Sequence, residues 1–134
     1  MTPEYRSARE MFDADVASQA LGIEVHELVP GRAVASMTVG ETMVNGHGIT
    51  HGGFVFTLAD TAFALACNGY GEPTVAARAD IRFLAPTWLG DELIAEAVER
   101  ERYGRNGIYD VTVRVRGKSV AEFRGDSRSL ARAR

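Results

Sequence analysis

The stretch that most constrains this chain is Gly53 to Asn68, GFVFTLADTAFALACN. Phe54, Val55, Phe56, Leu58, Phe63 and Leu65 put apolar side chains on most sides of it, and a run of this length is helical rather than extended. A helix that is apolar nearly all round has to be buried. Its polar side chains are Thr57, Asp60, Thr61 and Asn68, and at about 100° per residue they share one stripe with Ala64. Gly69 and Gly71 end the helix. The rest of the chain must supply a surface that covers this helix and a setting that tolerates one carboxylate.

The flanking sequence supplies strands. Glu4 to Asp15 reads as a short amphipathic helix, with Ala8, Met11, Phe12 and Val16 at helical spacing. Ile23 to Val29 and Ala33 to Val39 read as a hairpin about Pro30-Gly31. Four strands follow the long helix: Thr74 to Leu84, Leu93 to Arg100, Ile108 to Arg116 and Ser119 to Ser129. Turn chemistry separates them, as at Pro86 to Gly90, Gly104 to Gly107 and Gly117-Lys118. Ala33, Ala35, Met37 and Val39 face one way, as do Val75, Ala77, Ala79, Ile81 and Phe83, and Tyr109, Val111, Val113 and Val115. Period-two strands joined by tight turns give an antiparallel sheet with one buried face. The long helix laid on that face makes an α+β arrangement with five to six strands. We expect a single domain over residues 1–134. One helix cannot hide all the apolar surface, so a second subunit is expected.

Bulk properties narrow the class. The start at Met1 lacks the basic-then-apolar layout of a leader, and no apolar run suits a membrane span. A single cysteine, Cys67, excludes an internal disulfide, and the cytoplasm is the expected compartment. Residues 1–100 carry 6 of the 15 basic and 14 of the 18 acidic residues, so positive charge gathers near the C-terminus. That gradient fits solvated strand faces and a basic tail, or attraction for an anionic ligand. The acidic pI of about 5.6 and the lack of aromatic-basic repeats exclude nucleic acid as a partner.

Asp60 is the first candidate for chemistry. Burying a carboxylate among apolar groups costs several kcal/mol unless it is paired or neutralised, and the helix offers no basic partner. Two readings stay open: a functional carboxylate, or one hydrogen-bonded to a neighbouring element through Thr57 or Thr61. The loop NGHGITHGG, Asn45 to Gly53, leads into the helix with four glycines. Gly52-Gly53 leaves backbone N–H groups bare at the positive end of the helix dipole, a place for an anion or a developing oxyanion. Gly53 and Asp60 share a helix face about 10.5 Å apart along the axis, too far to act on one carbonyl. Two antiparallel helices from different subunits would bring one Gly53 to the other's Asp60. His47 and His51 have neither a third ligand nor a zinc-protease motif, so no metal is expected. Cys67 reads as core, and Trp88 and Tyr109 as packing residues or pocket lining.

NGHGITHGGFVFTLADTAFALACN resembles the signature of the hotdog-fold acyl-coenzyme A thioesterases of the phenylacetic acid degradation type. MFDADVASQALGIEV, FLAPTWLGDELIAEA, GRNGIYDVTV and AEFRGDSR extend the resemblance over nearly the whole chain. It implies a helix wrapped by an antiparallel sheet, dimers and usually tetramers, and sites shared between subunits. Asp60 would then be the catalytic carboxylate, as general base or nucleophile, and Gly53 the donor to the thioester oxygen. Asn45 would hold and polarise the thioester, His51 and Gly52 would shape the loop, and Thr61 would line the acyl side. The substrate would be a (hydroxy)phenylacetyl-CoA or a related aryl or medium acyl-CoA, with no cofactor beyond the substrate's own coenzyme A. Some related enzymes carry an assisting serine on the strand after the helix, where this chain has Ala76 and Ala77. Arg82, Arg124 and Arg128 are candidates for coenzyme A phosphates on charge alone. Two rival readings keep the fold: an acyl-thioester dehydratase or hydratase, which would need His47 or His51, and a non-catalytic acyl-CoA-binding module.

Overall fold

The computed structural model describes residues 7–130. Two short helices come first, α1 (Ala8–Asp13) and α2 (Val16–Ala20), then the hairpin β1 (Glu24–Val29) and β2 (Arg32–Thr38). The long helix α3 (Gly52–Asn68) follows, and then β3 (Thr74–Phe83), β4 (Glu92–Tyr103), β5 (Asn106–Val115) and β6 (Lys118–Ser129). All strand pairs are antiparallel, in the order β1-β2-β4-β5-β6-β3, so β1 and β3 are the two edges. The α3 helix packs against every strand, as its all-round apolar composition requires. Among the described residues no helix is long and apolar enough to cross a membrane.

Small residues set how closely the helix lies on the sheet. Ala33 and Ala35 on β2 sit opposite Ala97 and Ala95 on β4, and all four are fully buried. Their short side chains let α3 approach the sheet centre and place Leu58, Ala59, Ala62, Phe63 and Leu65 in one close-packed core. Phe63 meets Tyr109 and Phe123 there, with ring centroids 5.6 and 5.7 Å away.

Two expectations need correction. The N-terminal helix expected over Glu4 to Asp15 begins outside the described residues; its described part is α1, which stops at Asp13, and a corner separates it from α2. Asp15 leaves helical geometry and caps α2, its Oδ1 accepting the Ser18 N–H at 3.0 Å. Val16 therefore points outward, 79% exposed, rather than joining the apolar stripe. On β3 the simple alternation fails, because a bulge between Ala76 and Arg78 adds one residue and reverses the phase. Ala79 and Ile81 pack on the core as expected, whereas Val75 is exposed.

Candidate active site

The loop before α3 is built around Asn45. Its side-chain Oδ1 accepts the backbone N–H groups of His47 at 2.9 Å and Ile49 at 3.1 Å. Its backbone N–H donates to the Ile49 carbonyl at 2.8 Å, and its carbonyl accepts from Gly48. The acceptor end of Asn45 is thus committed to the loop, leaving the amide Nδ2 as its free donor among the described residues. Gly48 permits the tight turn at φ +78. Thr50 fastens the loop to the β3–β4 connection, where its N–H and Oγ1 both donate to the Thr87 carbonyl and its Oγ1 accepts from Thr87 Oγ1 at 2.7 Å.

His51 occupies the N-cap position of α3, with its backbone N–H held by the Met43 carbonyl at 2.8 Å. Its side chain makes no capping bond and is exposed. Among the described residues no acceptor meets the N–H groups of Gly52 and Gly53. Gly53 is exposed with open space where a side chain would stand. Gly52 is crowded instead: an added Cβ would lie 2.7 Å from the Phe83 ring. The bare donors and the dipole of a 17-residue helix make this end electropositive.

The polar stripe is narrower than the sequence indicated. Gly53, Thr57, Asp60 and Ala64 run up the helix partly or fully exposed. Thr61 and Asn68 are buried and turned elsewhere. Asn68 clasps β3, donating to the Thr74 carbonyl at 3.0 Å and accepting the Thr74 N–H at 2.9 Å. Thr61 Oγ1 meets Ser18 Oγ at 2.9 Å. Asp60 itself receives no hydrogen bond and no ion pair from the described residues. Burial pushes its carboxyl above the ordinary range, and the charge of Asp15 adds to the rise.

Other candidates fall away from this stripe. Arg82 and Arg124 line an open groove of about 760 Å³ on the face opposite α3, paired there with Asp80 and Asp110. Arg128 alternates onto that same face. Among the described residues no three His, Cys, Asp or Glu side chains converge as metal ligands would. Asp15 and Ser18, which the structure links to Thr61 next to Asp60, were hidden in what reads as a plain helix end. The one signal for them is the cap spacing Asp15-x-x-Ser18.

The sequence profile of the thioesterase superfamily matches residues 47–122, which include the glycine loop, α3 and most of the sheet. The chain belongs to this superfamily. It is 43% identical to the acyl-coenzyme A thioesterase PaaI of Escherichia coli, over 94% of this chain and 91% of that one. The solved structure of that PaaI protein superposes with a TM-score of 0.91, covering 93% of this chain and 91% of the other. The TT0310 protein of Thermus thermophilus gives a TM-score of 0.84 at 41% identity, covering 87% and 98%. Human acyl-coenzyme A thioesterase 13 is 29% identical over 92% of this chain and 95% of its own. The fold is the hotdog fold, and the chain is a thioester hydrolase.

Proposed function

We propose that this acyl-CoA thioesterase hydrolyses aryl-acetyl or related medium acyl-CoA esters in the cytoplasm, as one domain over residues 1–134 that works as an oligomer. The observation that carries the reading is the open stripe of α3, which has bare N–H donors at Gly52 and Gly53 and an unpartnered carboxylate two turns on. Asp60 takes a proton from water as the water oxygen bonds to the thioester carbon. The carbonyl oxygen becomes an oxyanion against the Gly53 N–H, with Asn45 Nδ2 as a second donor and His51 beside it. Collapse of the adduct breaks the C–S bond and releases free acid and coenzyme A thiol, which recovers the proton. No cofactor or metal enters these steps.

The separation of Gly53 and Asp60 along one helix supports a site made by two copies, each giving its loop to the other's Asp60. The β3 edge suits that pairing, for its outer backbone groups lack a neighbouring strand and Val75 and Phe83 lie exposed on it. Dimers and their association into a tetramer are part of this proposal, as is the lining of the acyl pocket by residues near Thr61.

The test is thiol release from a panel of acyl-CoAs, phenylacetyl-CoA included, by the wild type and by Asp60→Asn, with oligomeric state checked by light scattering. Loss of turnover in a folded oligomer supports the reading. Retained turnover in Asp60→Asn would sink it, and a preference for short straight-chain esters would overturn the aryl assignment.

A further inference from the structure

A second carboxylate is linked through one hydroxyl to Thr61, the residue after Asp60. Asp15 caps α2 through Oδ1, and its Oδ2 accepts the Ser18 hydroxyl at 2.6 Å. Ser18 is 1% exposed, and the other contact of its hydroxyl is Thr61 Oγ1 at 2.9 Å. A carboxylate only accepts and a serine has one hydroxyl proton, so Thr61 donates to Ser18 and Ser18 to Asp15. This directed chain fastens the α1–α2 corner to α3 at the residue next to Asp60. The cap needs none of it, because the Ser18 N–H alone completes the bond that an N-cap side chain makes. Alanine and valine could fill the two buried positions without desolvating two hydroxyls.

We propose that Asp15 is a positioning residue of the active site, held by Ser18 and Thr61 so that its negative charge bears on Asp60 and helps to set the pH at which Asp60 works as a base. This inference rests on the catalytic role proposed for Asp60. Burial is the larger cause of the raised Asp60 carboxyl, and among the charged side chains of the described elements packed on α3, which are α1, α2 and the six strands, Asp15 is the one that adds to it. On α3 itself the Cys67 thiol is raised by the Asp60 charge and, being neutral, adds none of its own. No described Lys or Arg offsets the charge of Asp15 there. The two carboxylates are thereby set apart: one is tied by hydrogen bonds, the other is bare and faces the stripe. A base whose proton affinity is lifted toward the working pH abstracts a proton from water more readily, while less of it is ionised in acid.

The experiment compares pH profiles of kcat for the oligomeric wild type, Asp15→Asn and Ser18→Ala. Asparagine keeps the cap and removes the charge, so the acid limb of Asp15→Asn moves to lower pH, and on that limb the variant outpaces the wild type. Ser18→Ala keeps the charge and the backbone cap but frees Oδ2 to turn toward solvent, and its limb moves the same way by less. An acid limb left at the wild-type position in Asp15→Asn overturns the inference, as does a limb that moves up. Asp60→Asn separates the two layers. If that variant is inactive while the Asp15→Asn limb stays put, the catalytic reading stands and the role of Asp15 falls; if it turns over normally, both fall.

Discussion

Gly125→Ala should loosen the fold through one contact and disturb the active site through the same contact. Gly125 is buried on β6, and a Cβ added there would lie 2.8, 2.8 and 2.9 Å from three carbons of the Phe63 ring. Ordinary contact begins near 3.4 Å, so ring and strand must part by about 0.6 Å. The ring has little freedom to do so, since Phe63 is 1% exposed and lies against Tyr109 and Phe123. The backbone at Gly125 is not in a left-handed conformation, so alanine adds no strain of its own. Overpacking of this kind costs about 1–3 kcal/mol, which for a chain of this size is a fall in Tm of roughly 3–15 °C. Because Phe63 follows Asp60 by less than one helical turn, displacement of α3 should also lower kcat with KM little changed. Thermal melts and acyl-CoA kinetics measure both effects. The double variant Gly125→Ala with Phe63→Leu provides the internal check, since a leucine gives the new methyl group room and the double should cost less than the two singles together. A wild-type Tm for Gly125→Ala, or strict additivity in the double, would refute the reasoning.

Three further outcomes follow from the same geometry. Asp60→Asn should melt higher than the wild type at neutral pH even as it should lose turnover, because burial raises the folded carboxyl above its unfolded value and its ionised form therefore opposes folding. That advantage should shrink as pH falls through the raised value and the wild type becomes protonated; a lower neutral-pH Tm for the variant would contradict it. Asn68→Ala should lose about 1–3 kcal/mol in denaturant unfolding, since it strips both the N–H and the carbonyl of Thr74 of their partner at the junction of α3 and β3. Cys67, buried and with its thiol pushed up to about 12, should resist thiol reagents in the native protein and react only on denaturation, so it adds nothing to a thiol-release assay.

The hotdog architecture was legible because its signals are local. A sixteen-residue segment with eleven apolar side chains spread round the helix demands burial, and the turn residues that separate the period-two runs sit where the strands end. Asp60 stood out for the same reason, as a charge inside an apolar period, and the bare helix start was written in Gly52-Gly53. The stripe was legible only in outline. Helical spacing groups Thr61 and Asn68 with Asp60, but spacing carries no record of what each side chain meets.

Tertiary structure decided those meetings. Thr61 turns to Ser18 and Asn68 to Thr74 because the α2 corner and the start of β3 bring buried polar groups that must be satisfied. The bulge on β3 is equally non-local: one unpaired residue against β6 reverses which side chains face the core. Asp15 lies 45 residues before Asp60 in the chain, and packing of the N-terminal corner against α3 ties it through Ser18 to Thr61, the residue after Asp60. Sequence by itself determined that this chain must wrap one helix and find a setting for the one carboxylate on it, since both follow from periods of two and 3.6 residues. Which groups surround that carboxylate, and hence the pH at which it can act, arises only from contacts between distant segments.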